Sequence, residues 1–205
     1  MDRKGRYSPL YEAALQVATQ AHHEQMRKGS GLPYIVHPVH VSVILLRHGF
    51  STEAAVAGLL HDVVEDQGYE LIEIEERFGP QVAGIVEALT EQKRDARGNK
   101  RPWEVRKREA LEKIRGASRD AVAVKAADTL HNARSFVQDL RRRGSEIWRN
   151  FNSGPRAQLD YYRKILRITE DRLGTHPLAL ELADAVDDLA HAVDETSPDE
   201  AKPTL

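Results

Sequence analysis

Apolar positions recur every three to four residues along most of this chain, the spacing of helices that bury one face. Over residues 10–26 they fall at Leu10, Ala14, Val17, Ala18 and Ala21. Residues 27–37 break the pattern with Gly29, Gly31 and Pro33 and predict a loop. A helix is predicted over 38–48, with Pro38 in its first turn, where the missing N–H costs little. Gly49 suits its C-terminal end, and Ser51 suits the N-cap of the next helix, 54–66. Further helices are predicted over 70–78 and 80–89, parted by Gly79, and over 103–115, 119–143, 155–173 and 177–193. Residues 90–102 are polar and charged around Gly98 and predict a mobile loop. No period-two alternation persists, and no internal repeat is visible. The fold class expected is all-α: one helical bundle over residues 1–194, followed by a disordered tail at 195–205.

One segment departs from ordinary amphipathic patterning. Residues 54–60 are all apolar or small and run straight into His61, Asp62, Glu65 and Asp66. So apolar a helix belongs in a core, where an imidazole and three carboxylates cost several kcal/mol each, by rough estimate, without partners. A divalent cation would satisfy several of them together. On a continuous helix His61 and Asp62 project about 100° apart, so both can face one ion. Glu65 lies four residues after His61 and three after Asp62, one turn along the same side, and Asp66 stands in the same relation to Asp62. Ligands followed by a carboxylate pair suit a metal ion beside a general base. The alternative is a solvated helix end whose charges face water.

Composition narrows the chemistry. The 205 residues carry a net charge of -2, with 30 Lys and Arg against 32 Asp and Glu, which gives no sign of nucleic-acid or anionic-membrane binding. Cysteine is absent, so disulfides, thiolate metal sites and cysteine nucleophiles are excluded. No apolar run approaches the ~18 residues of a membrane helix. No secretory h-region follows the basic start. A cytoplasmic protein without a membrane partner is the expectation, and a homo-oligomer stays open.

Two further segments offer ligands. His37 stands at the mouth of a predicted helix, stiffened by Pro38. Asp128 interrupts the apolar face of helix 119–143, with Asn132 and Ser135 one and two turns beyond. Taken singly, His37 reads first as a structural histidine, and Asp128 equally as a satisfied core carboxylate. Together, His37, His61, Asp62 and Asp128 offer two imidazoles and two carboxylates, a set that suits Mn²⁺, Zn²⁺, Fe²⁺ or Mg²⁺.

These residues resemble the H…HD…D signature of the HD-domain metal-dependent phosphohydrolases. Arg27-Lys28-Gly29, Pro33-Tyr34-Ile35-Val36-His37-Pro38, His61-Asp62-Val63-Val64-Glu65-Asp66 and Lys125-Ala126-Ala127-Asp128 with His131-Asn132 are similar to the blocks of the (p)ppGpp hydrolases of RelA/SpoT type. The likeness runs over residues 10–170. It implies an HD-type helical bundle. It further implies metal binding by His37, His61, Asp62 and Asp128, with Mn²⁺ the usual ion of the family. Glu65 and Asp66 would position and deprotonate water, Arg27 and Lys28 would contact the nucleotide, and Asn132 and Ser135 the sugar-phosphate region. The implied activity is that of a small stand-alone alarmone hydrolase releasing 3′-pyrophosphate from (p)ppGpp. The chain departs from the long enzymes at Thr129 and Ser135. Residues 147–152 and 158–163 resemble a related group of small HD hydrolases. Hydrolysis of another nucleotide phosphate, such as a nucleoside monophosphate or the 2′-phosphate of NADPH, is the second reading. A non-catalytic nucleotide-sensing module is the third, and Glu65 and Asp66 count against it because a sensor needs no base.

Overall fold

The computed structural model describes residues 8–27, 31–144, 146 and 153–196. Ten helices are present among them: α1 (Pro9–Ala21), α2 (Val36–Arg47), α3 (Thr52–Leu60), α4 (Val63–Gln67), α5 (Leu71–Phe78), α6 (Pro80–Leu89), α7 (Trp103–Arg115), α8 (Arg119–Arg143), α9 (Pro155–Leu173) and α10 (Pro177–Thr196). The only β pairing among the described residues is two isolated bridges, Met26 with Pro33 and Arg94 with Lys100. The all-α class and the HD-type bundle hold.

Local chemistry sets the helix starts. Ser8, Ser51 and Ser118 each cap a helix by accepting a backbone N–H three residues on, from Tyr11, Ala54 and Ala121. Glu70 and Glu73 form a reciprocal capping box at α5. Every residue from Ala54 to Leu60 is buried, so α3 is apolar all round and lies at the centre of the bundle. It packs against α1, α2, α6 and α8. The long α8 packs against α2, α3, α9 and α10, and its alanines at 121, 123, 126, 127 and 133 are all fully buried. Small side chains there let helix axes approach closely, and α2, α3 and α8 consequently meet around His37, His61 and Asp128.

The structure corrects three details of the sequence reading. The predicted helix 54–66 is broken: α3 ends at Leu60, His61 and Asp62 form a turn, and α4 resumes at Val63. Asp62, with φ -102° and ψ -5°, departs from helical geometry, so the ligands do not sit on one straight helix wall. Helix α1 stops at Ala21 instead of continuing to 26, and α10 continues to Thr196. Residues 90–102 are a loop as expected, yet an ordered turn lies within it. Asp95 accepts the backbone N–H groups of Arg97 and Asn99, and Gly98 takes φ 81°, which costs glycine nothing. The tail expected at 195–205 starts inside α10, and its remainder, 197–205, lies outside the described residues, as does the segment 147–152.

Gly58 shows how tightly α3 is held. A Cβ there would come within 2.8 Å of Leu45 Cδ1 and 3.3 Å of Val41 Cγ1, both on α2. Gly58→Val is expected to destabilise the protein by about 1–3 kcal/mol through overpacking. Denaturant unfolding checks this, and an unchanged midpoint would show that α2 and α3 are not in close contact.

Candidate active site

Three helix segments aim polar groups into one buried spot. His37 lies in the first turn of α2, His61 in the turn after α3, and Asp128 in mid-α8. All three side chains are buried, and one ligand atom from each lies within 4.8 Å of the others. His37 Nε2 is 3.3 Å from Asp128 Oδ1 and 3.8 Å from Asp62 Oδ2. His61 Nε2 is 3.0 Å from Asp62 Oδ2 and 4.0 Å from Asp128 Oδ1. The four expected ligands therefore converge, although 91 residues separate His37 from Asp128.

The donor set fits a divalent cation. His61 donates its Nδ1 proton to the Gly58 carbonyl at 2.9 Å, which orients the ring and turns Nε2 toward the carboxylates. That Nε2 is buried and has no hydrogen-bond partner, despite its closeness to Asp62. A buried polar nitrogen without a partner, facing two carboxylates, is what an ion would satisfy. Burial alone would hold His61 neutral, but the charges of Asp62 and Asp128 outweigh it and push the imidazole up to about 9. The site thus draws positive charge onto a histidine in the metal-free state, and a bound cation would take over that charge. Asp62 is held below the ordinary carboxylate range: burial opposes its charge, but His61 and His37 more than compensate. Asp128 is held well below it too, with burial outweighed by Lys125 first and the two histidines after.

Each carboxylate is braced by a neighbour. Tyr34 donates its hydroxyl to Asp62 Oδ2 at 2.6 Å, and burial with that negative partner drives its own pKa far up. Lys125 donates to Asp128 Oδ2 at 2.9 Å from one turn earlier on α8. Asn132 donates to Asp128 Oδ1 at 2.6 Å from one turn later. Burial opposes the Lys125 charge, yet Asp128 overrides it and keeps the ammonium charged.

Glu65 and Asp66 lie on α4, just past the ligands. The loop over 90–102 docks on them: Lys93 pairs with Glu65 Oε1 at 3.0 Å and with Asp66, and the Glu91 N–H donates to Glu65 Oε2 at 2.9 Å. Glu91 is itself gripped by Arg106 and Lys107 of α7 at 2.9 and 2.6 Å. Gln25 donates to Asp66 Oδ2 at 3.1 Å. Burial raises the Glu65 pKa above that of an ordinary glutamate, and Lys93 only partly offsets this. A carboxylate raised in this way is a better proton acceptor than a solvated one.

A cavity of about 310 Å³ opens beside the ligands, lined in part by Arg27, Tyr34, Asp66, Asn132 and Ser135. Arg27 donates to Asn132 Oδ1 at 3.1 Å and stacks over Tyr34, 5.9 Å from the ring centre. Ser135 donates back to the His131 carbonyl at 2.9 Å and still reaches the cavity wall. Lys28 lies outside the described residues. Sequence reasoning missed Tyr34, Lys125, Lys93, Gln25 and His131 as parts of the site. Tyr34, Lys125 and His131 fall inside the quoted blocks, where their motif was the available signal. Lys93 had no such signal, because a lysine in a charged loop looks like any solvated cation.

Comparisons with known proteins agree with this layout. An HD-domain family model matches residues 14–156. A guanosine-3′,5′-bis(diphosphate) 3′-pyrophosphohydrolase, MESH1, from Xenopus tropicalis is 37% identical over 172 residues, 82% of this chain and 87% of that protein. A probable GTP pyrophosphokinase from Mycobacterium leprae is 39% identical over 130 residues, 62% of this chain, and the match spans only 16% of that protein's length. A solved structure of a metazoan ortholog of SpoT, described as hydrolysing ppGpp, superposes with a TM-score of 0.69 at 27% identity, covering 89% of this chain and 96% of that one.

The Lys125–Asp128 pair yields a stability test. Its two side chains are only 14% and 11% exposed, so removing the cation leaves a nearly buried carboxylate short of charge. Lys125→Met is expected to destabilise the metal-free protein by about 3 kcal/mol or more. Equilibrium unfolding in chelator measures it, and wild-type stability would mean that Asp128 does not depend on Lys125.

Proposed function

The chain belongs to the HD-domain family, and from that premise we propose that it is a metal-dependent hydrolase of (p)ppGpp that releases the 3′-pyrophosphate. The observation that carries this is the convergence of His37, His61 and Asp128, with Asp62 alongside, next to the raised carboxylate of Glu65. Relatives bearing this activity in their names align over most of both chains, which favours the alarmone over other nucleotide phosphates.

His37, His61, Asp62 and Asp128 would hold one divalent ion, which we assign as Mn²⁺. When bound, the ion supplies Lewis-acid polarisation of a phosphate oxygen and neutralises charge on the phosphoryl group. Glu65 accepts the proton of the attacking water as the new bond to the 3′-phosphorus forms. Asp66 holds Lys93 against Glu65 and keeps that carboxylate turned to its task. The bond to the ribose 3′ oxygen breaks, that oxygen takes a proton, and pyrophosphate departs with a 5′-polyphosphate nucleoside as the other product. Arg27 and Lys28 meet the nucleotide, and a guanidinium can do so by stacking or by a forked hydrogen bond. Asn132, fixed between Arg27 and Asp128, and Ser135 line the path of the sugar and its phosphate.

An activity screen with Mn²⁺ against ppGpp, pppGpp, NADPH and nucleoside monophosphates tests the assignment. Pyrophosphate from ppGpp is expected. Orthophosphate alone, or turnover confined to NADPH or a monophosphate, would replace it with the second reading.

Three substitutions separate the roles. His61→Ala and Asp128→Ala should each lose metal and activity together, because each removes a ligand and leaves the others unbalanced. Full metal occupancy in both purified variants would sink the ligand assignment. Glu65→Gln should keep the metal, since shape is preserved, but lose about 10²–10⁴-fold in rate with the proton acceptor. Wild-type turnover there would remove Glu65 from the base role.

A further inference from the structure

Behind His37, on the side away from the carboxylates, three imidazoles stand in a row. His37 Nδ1 lies 2.8 Å from His131 Nδ1, and His131 Nε2 lies 2.9 Å from His40 Nδ1. Both ring pairs have centroids 4.9 Å apart. His37 and His40 are three residues apart on α2, so they share a face, and they bracket His131 of α8. His37 is 1% exposed, while His40 is exposed and ends the row at the surface.

We propose that His131 and His40 are positioning residues that fix the tautomer and orientation of His37 and thereby set the affinity of the metal centre. The inference rests on His37 being a ligand, as proposed above. Ligation through Nε2, the nitrogen that faces Asp128 and Asp62, requires the His37 proton to sit on Nδ1. That proton points to His131 Nδ1, which must therefore offer a lone pair. A neutral His131 that accepts at Nδ1 carries its own proton on Nε2 and donates it to His40 Nδ1. Each bond in the row then has one donor and one acceptor, and a single requirement at His37 dictates every tautomer. A charged His131 would set two N–H groups against each other at 2.8 Å and break the row.

The same bookkeeping excludes a second ion between His40 and His131. Such an ion would need the His131 Nε2 lone pair, and His131 has none to give while it accepts from His37. Metal-bound histidines are commonly oriented by a carboxylate or a carbonyl. His61 follows that rule through Gly58, whereas His37 uses an imidazole backed by another imidazole.

Titration calorimetry of the metal-free protein with Mn²⁺ tests the proposal. His131→Leu should weaken Mn²⁺ binding by about 10- to 100-fold. His131→Gln, whose amide can accept from His37 and donate to His40, should recover most of that loss. His40→Leu should cost about 2- to 10-fold, the worth of one net hydrogen bond. His37→Ala is the control. If it binds Mn²⁺ like the wild type, the metal-centre reading fails; if it loses Mn²⁺ while His131→Leu does not, only the positioning role fails. Should His131→Leu not fold, long-range ¹H–¹⁵N spectra of the Zn²⁺-loaded wild type decide. The expected tautomers are Nδ1–H for His37 and Nε2–H for His131. A His131 protonated on Nδ1, or on both nitrogens, overturns the proposal.

Discussion

Two carboxylates, Asp62 and Asp128, sit 3.0 to 4.0 Å from the same pair of buried imidazoles, and the protein is organised around that excess of negative charge. Like charges in a poorly solvated spot repel strongly and require compensation. Lys125, Tyr34 and Asn132 supply part of it from inside the fold. His61 supplies more by drawing a proton, and a divalent ion would complete it. Such a cluster tends to cost stability compared with an apolar core. Its place amid fully buried alanines and leucines is what the proposed metal centre accounts for.

The helical core makes the cluster rigid. α3 is buried on every side and pressed against α2 at Gly58, so the Gly58 carbonyl is fixed and His61 is fixed with it. The break after Leu60 is part of this design. In the turn His61 Nε2 lies 3.0 Å from Asp62 and 4.0 Å from Asp128. α4 then restarts at once and carries Glu65 and Asp66 just past the turn, which places the proposed proton acceptor beside the proposed ligands without making it one of them.

A second tier of contacts ties the carboxylate pair to a distant element. Glu91 and Lys93 of the loop hold Glu65, and Arg106 and Lys107 of α7 hold Glu91. The loop is therefore a strut between α7 and α4 as well as a connection. The cations that reach the site, Arg27, Lys93 and Lys125, come from three different segments, and two of them are already paired with its carboxylates, Lys93 with Glu65 and Asp66 and Lys125 with Asp128.

The sequence by itself determined the class and most of the helix boundaries, and it pointed to the candidate ligands. Helical periodicity is a local property, and a histidine or aspartate in an apolar run signals its own cost wherever the chain folds. His61, Asp62 and Asp128 were legible as candidates for that reason, His37 through its likeness to a family block, and the Ser51 cap through a bond that spans only three residues. Only the tertiary structure decided the rest. The break at His61 was invisible because neither His61 nor Asp62 is a helix breaker. Lys93 and Gln25 gained roles through partners 27 and 41 residues away, and no local pattern encodes such a meeting. The row from His37 through His131 to His40 likewise exists because α2 and α8 pack side by side. A hydrogen bond across 94 residues is a fact of packing, which periodicity alone cannot show.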